Sequence, residues 1–120
     1  MAIQIKSLDQ LKLMRAAGKI VWKTLTEIKS AAAIGVTTVE LDEISRNILA
    51  ANGATSSFLG YHGYPSVICA SVNEEVVHGI PNKRKLQNGD VLSIDFGAIV
   101  DGWHADAAIS FGIGEIETAD

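Results

Sequence analysis

The sequence predicts an α/β chain of the α+β type, with two N-terminal helices packed on an antiparallel sheet. Three observations carry this expectation. Over residues 11–28 apolar residues recur at alternating steps of three and four, and Leu41, Ile44, Ile48 and Leu49 form a second helical face. Each of the two stretches opens on a hydroxyl residue with Gln or Glu three places on. From residue 67 onward the pattern alternates instead, and it ends in two β-rich runs around Asp101-Gly102.

Ser7 and Gln10 form a capping box that opens the first helix, over roughly Leu8 to Lys29. Leu11, Met14, Gly18, Val21, Leu25 and Ile28 make one buried stripe along it. Leu13, Ile20 and Trp22 lie off that stripe, and Trp22 is either a second contact face or an exposed ring. The helix ends in Ala31-Ala32-Ala33-Ile34-Gly35, with Gly35 as the stop. Thr37 and Glu40 cap a second helix, whose core face is Leu41, Ile44, Ile48 and Leu49 and whose end is Gly53. Neither helix carries a catalytic pattern, so both read as scaffold.

Phe58 to Pro65 reads FLGYHGYP, an aromatic and glycine-rich stretch. It suits either a loop that walls a pocket, with Phe58, Tyr61, His62 and Tyr64, or an ordinary turn stacked on the core. Val67 to Asn73 is a strand, with Ile68, Ala70 and Val72 on one side and Cys69 and Ser71 on the other. Cys69 reads as a small core residue rather than a nucleophile served by His62 or His78. Glu74 and Glu75 mark a turn, and His78 ends a short β run. Gly79 would let a ligand approach its backbone. Lys83 to Gly89 is a polar loop that leads into the last two strands.

Those strands form a hairpin from Val91 to Phe111. Asp101-Gly102 tolerates the positive φ angles of a tight primed turn. With these two as the loop, Val100 faces Trp103, Asp95 faces Ala108 and Gly97 faces Asp106. Asp95 and Asp106 then emerge on one face, a diagonal step apart. A three-residue loop would put them on opposite faces. Each acid sits between apolar neighbours and requires a partner. Two close like charges raise one another's pKa unless a cation lies between them. A pair of metal ions about 3.5–4 Å apart, as in many hydrolases, suits such carboxylates. Backbone amides or an arginine would serve them too, and the spacing leaves both readings open.

One domain, residues 1–120, is the natural count for a chain of 120 residues. The net charge of −4 argues against a nucleic-acid or acidic-membrane surface. Lys83-Arg84-Lys85 is the basic run, and it reads as a solvated loop. No run approaches the roughly 18 apolar residues of a membrane helix, and MAIQIKSLDQ is not a signal peptide. Cys69, the single cysteine, has no intrachain partner, which fits a reducing cytoplasm. Hydrophobic residues make up 48%, and the 11 glycines carry the apolar share above the usual range of about 45–50%. In a short chain that excess suggests a face covered by something else.

FLGYHGYP, SVNEEVVHGIP and SIDFGAIVDGWHADAAISF, in this order and spacing, together resemble the first half of bacterial type I methionine aminopeptidase. KLMRAAGKI in the opening helix fits as well. One departure is Ile34, where the family usually has proline before the glycine. The resemblance implies half of a pita-bread fold, with a curved antiparallel sheet, in which two similar halves enclose a dinuclear metal site. It implies Asp95 and Asp106 as metal ligands for Mn²⁺, Co²⁺ or Fe²⁺, and His78 as the histidine that contacts substrate. It places Tyr61, Tyr64 and Cys69 in the walls of the methionine pocket, with Phe58 at another wall position and His62 in the same loop. The implied reaction is hydrolytic removal of N-terminal methionine from peptides by a metal-activated hydroxide.

The family's remaining ligands, one histidine and two glutamates, belong to a second half. Glu115 and Glu117 match none of those motifs, and His104, on the face of Asp106, is not a ligand position in the family. The chain is therefore expected to be a metal-binding half-domain, weakly active or inactive alone. Its expected partner is a complementary C-terminal half or a second copy. A homodimer would imitate the whole fold and bring the acids of both copies to one cleft. The remaining reading is a non-catalytic interaction module that folds against a partner.

Overall fold

The computed structural model describes residues 7–73 and 79–114. The expected turn at Glu74-Glu75, the run ending at His78, and Glu115 and Glu117 lie outside the described residues. Helices α1 (Leu8–Ala31) and α2 (Thr38–Ala51) come first. Strands β1 (Thr55–Ser56), β2 (Ile68–Val72), β3 (Val91–Val100) and β4 (Trp103–Gly112) follow, with a 3-10 turn at Tyr61–Gly63. The sheet is antiparallel and centred on β3. β1 and β2 pair with successive parts of β3, and β4 pairs with its whole length.

Both expected capping boxes form: Ser7 with Gln10, and Thr37 with Glu40. Val21, Leu25 and Ile28 of the expected stripe of α1 are buried, and the stripe widens to Ile20, which was expected to lie off it. Ala17, Ile20, Val21, Thr24, Leu25 and Ile28 are buried, whereas Leu11 is exposed. The buried residues of α1 begin at Ala17. Trp22 resolves as an exposed ring, 73% accessible. α1 stops at Ala31 because Ala32 is already extended, ahead of the expected stop at Gly35. In α2, Leu41 and Leu49 are buried, while Ile44 and Ile48 are only partly covered.

One face of the sheet carries Ile68, Ala70, Val72, Leu92, Ile94, Phe96 and Ala98, all buried in the core. α1 packs on β3 and β4, and α2 on α1, β1 and β2. Two points of the core were not visible as a pattern. β1 is too short to show alternation, and Leu86 is 1% exposed inside the loop expected to be polar. Lys83, Arg84 and Lys85 are exposed, as expected. Among the described residues no helix is long and apolar enough to cross a membrane.

The other face of the sheet, away from the helices, carries Cys69, Ser71, Ser93, Asp95, Gly97, Asp106, Ala108 and Ser110 in register. Ser93 and Ser110 share a hydroxyl hydrogen bond of 2.8 Å there.

Candidate active site

The hairpin fixes the acids. Asp101 (φ 47°) and Gly102 (φ 82°) are both left-handed, as a two-residue primed turn requires. Val100 therefore pairs with Trp103, Asp95 with Ala108 and Gly97 with Asp106. Residues paired across antiparallel strands project from the same side, so Asp95 and Asp106 share the open face. His104, paired with Ile99, is exposed on that face too.

A pocket of about 400 Å³ opens beside them. Phe58, Tyr61, His62, Gly63, Tyr64, Pro65, Cys69 and Ile80 line it. The FLGYHGYP stretch is thus a pocket wall and not a turn stacked on the core; Tyr61 is 69% exposed. Phe58 and Tyr64 meet edge to face at 6.4 Å, and Tyr61 and His62 at 4.3 Å. His62 itself is left-handed (φ 49°), which turns the loop back after Tyr61. Cys69 is half-buried in the pocket wall, a correction to its reading as a core residue. Its strand partner is Asp95. The pocket therefore meets Asp95 in one row of the sheet, Cys69–Asp95–Ala108, and Asp106 lies in the next row, opposite Gly97.

Tyr64 donates its phenol proton to the Ile68 carbonyl at 2.8 Å. Burial pushes its pKa up, and the Cys69 thiol beside it adds to the shift, so the phenol stays a donor at neutral pH. Asp42, which the sequence reading passed over, ties the pocket loop to α2. It is buried at 6% exposure and accepts from the amides of Val67 (2.8 Å) and Ile68 (3.2 Å) and from Arg46 Nε (2.8 Å). Arg46 in turn donates to the Pro65 carbonyl at 2.9 Å. A carboxylate on a helix reads as solvated, and only the fold brings this one under the loop. Gly79 also differs from expectation. What approaches its backbone is β2, through the Ala70 carbonyl and Ser71. His78 is outside the described residues.

Two observations bear on whether the open face suits a divalent cation. Asp95 and Asp106 are exposed, and among the described residues neither carboxylate has a hydrogen-bond or ion-pair partner. The alternative of amide or arginine partners is not what the described residues form. Second, the Ser57 hydroxyl, packed on Gly97, is buried without a hydrogen-bond partner among the described residues. Hard oxygen donors of this kind suit Mn²⁺, Co²⁺ or Fe²⁺. Among the described residues no group of three or more His, Cys, Asp or Glu converges on a metal position. Asp95 and Asp106 thus fit such an ion as part of its ligand set.

Helices thus cover one face of an antiparallel sheet, and two acids without partners among the described residues lie beside an aromatic pocket on the other. Residues 12–120 match metallopeptidase family M24, and the chain belongs to that family. Methionine aminopeptidase 1 of Mycobacterium tuberculosis is 53% identical over 116 residues, covering 96% of this chain and 44% of that protein. Methionine aminopeptidase 1 of Bacillus subtilis is 45% identical, at 96% and 46% coverage. The crystal structure of methionine aminopeptidase from Thermotoga maritima superposes with a TM-score of 0.89 and 37% identity, over 97% of this chain and 47% of that one. The chain spans about half the length of the curated relatives it matches. It corresponds to the N-terminal half of a methionine-aminopeptidase-like protein, and its fold is that half of the pita-bread architecture. Prolidase from Pyrococcus furiosus, 17% identical with a TM-score of 0.76, shares the fold alone.

Proposed function

We propose that the chain is the metal-binding and substrate-pocket half of a methionine aminopeptidase, acting in the cytoplasm on the N-terminal methionine of peptides. The observation that carries this reading is the row Cys69–Asp95–Ala108, which joins the aromatic pocket to Asp95, with Asp106 on the same face in the next row. Asp95 and Asp106 would hold a divalent metal (Mn²⁺, Co²⁺ or Fe²⁺), one of two in the complete site. The metal supplies Lewis-acid activation of water for peptide hydrolysis. Phe58, Tyr61, Tyr64 and Cys69 bind the apolar side chain, and His62 closes the same wall. Tyr64, held by the Ile68 carbonyl, keeps the pocket's shape. His78, carried over from the family motif, contacts the substrate. The two aspartates alone bind metal weakly, and the half alone is weakly active or inactive.

Calorimetric titration with Mn²⁺ tests this. The parent chain takes up the ion, and Asp95→Asn with Asp106→Asn abolishes uptake. Equal uptake by both proteins would contradict the assignment.

A second reading concerns assembly as one half-domain. Among the described residues β4 pairs on one edge only, and a groove of about 380 Å³ beside it is lined by Trp22, Leu25, Ile109 and Phe111. These features favour a covering partner, either a complementary second half or a second copy in a homodimer. Light scattering with and without Mn²⁺ is expected to show a dimer that Trp22→Ser weakens. A monomer at ~100 μM in both conditions, where weak association would be visible, removes the homodimer and leaves the complementary half.

A further inference from the structure

Ser57 extends the line of β1. Thr55 and Ser56 pair with Ile99 and Ala98, and the Ser57 amide donates to the Gly97 carbonyl at 3.2 Å. On its other side Gly97 pairs with Asp106. Ser57, Gly97 and Asp106 thus form a row across the sheet, next to the row of Cys69 and Asp95.

The glycine leaves the middle of that row without a side chain, and the Ser57 hydroxyl fills the gap. A Cβ built on Gly97 would land on Ser57 Oγ, and it would lie 3.4 Å from Asp106 Cβ. Any side chain at position 97 would therefore separate the hydroxyl from the acid. The Ser57 oxygen is closed to solvent and has no hydrogen-bond partner among the described residues. Buried hydroxyls left unpaired are rare and unfavourable, and each calls for an explanation. Water cannot serve one shut off from solvent unless it is trapped beside it. The neighbouring acceptor in its row is the Asp106 carboxylate, which is itself unpartnered among the described residues and exposed, free to turn about its side-chain torsions.

We propose that Ser57 is a positioning residue for the acid pair: its hydroxyl donates to the Asp106 carboxylate and holds it over Gly97 for a divalent cation. The proposal rests on the metal role of Asp106 given above. A hydroxyl-to-carboxylate bond is charge-assisted and short. Bonds of this kind behind a ligating carboxylate set its orientation and raise metal affinity.

Ser57→Ala removes only the unpaired oxygen and leaves the backbone bond to Gly97 intact. In calorimetric titration of the 120-residue chain with Mn²⁺, Ser57→Ala is expected to bind about 10-fold more weakly than the parent. Equal affinity would overturn the proposal. A metal-free cycle of Ser57→Ala, Asp106→Ala and the double variant, read by thermal unfolding, tests the contact independently. Non-additive shifts are expected, and additive shifts overturn the proposal. If the parent takes up no Mn²⁺, the proposed function fails by itself and the cycle decides the contact.

Discussion

At the scale of single residues, three carboxylates show how burial and partners set a structural acid apart from the proposed ligands. Asp90 is 6% exposed and accepts from the Gln87 amide at 2.8 Å and from Asn73 Nδ2 at 3.0 Å, with Arg84 at 3.7 Å. The Gln87 bond, and then Asn73 and Arg84, hold its pKa below the usual carboxylate value of 3.8 against the opposing effect of burial. The unfolded chain therefore binds its proton more readily than the folded one. The stability Asp90 contributes is complete above the unfolded pKa and is lost as pH falls through the lower folded value. Asp90→Asn is expected to be less stable at neutral pH and to lose less on acidification below about pH 5. Denaturant unfolding at several pH values checks this, and parallel curves would contradict it. Asp95 and Asp106, by contrast, have no such partners among the described residues, in keeping with the ligand role proposed for them. That distinction was half legible in the sequence. Asp101-Gly102 set the register and so the common face, but the presence or absence of partners depends on the fold. Ser57 gave no signal at all, because its burial follows from pairing alongside Gly97, forty residues away in the chain.

At the scale of elements, the pocket is placed by a clamp between α2 and the start of β2. Asp42 accepts two backbone amides and Arg46, and Arg46 reaches Pro65 at the end of the pocket loop. Removing the buried acceptor leaves the Val67 and Ile68 amides unpaired. Asp42→Ala is expected to cost about 2–3 kcal/mol in denaturant unfolding and to broaden the Tyr61 and Tyr64 signals in NMR spectra. A loss below about 0.5 kcal/mol, the range of an ordinary surface change, would contradict this. The elements themselves were largely readable. Capping boxes located both helix starts, and the hairpin was legible because turn chemistry and alternation agree. The misses have physical causes. The buried residues of α1 begin only at Ala17, which leaves Leu11 exposed, and the stripe is wide enough to take in Ile20. β1 spans two residues, too few for any period. Leu86 is buried because the loop around it bonds back to Gly35 and Val36.

At the scale of the whole molecule, the sheet separates two functions. One face is the core beneath the helices. The other gathers the acid pair and, through Cys69, the aromatic pocket. Phe58, Tyr61, His62, Tyr64 and Cys69 all line one pocket. The central claim is that pocket and acids form one site. Cys69, the single cysteine, sits where they meet, so its reaction rate with N-ethylmaleimide reports on both. Methionine is expected to slow the reaction in the presence of Mn²⁺, and the protection is expected to vanish without the ion and in Asp95→Asn. A Cys69 rate that methionine leaves unchanged, or protection that persists in Asp95→Asn, would contradict the account.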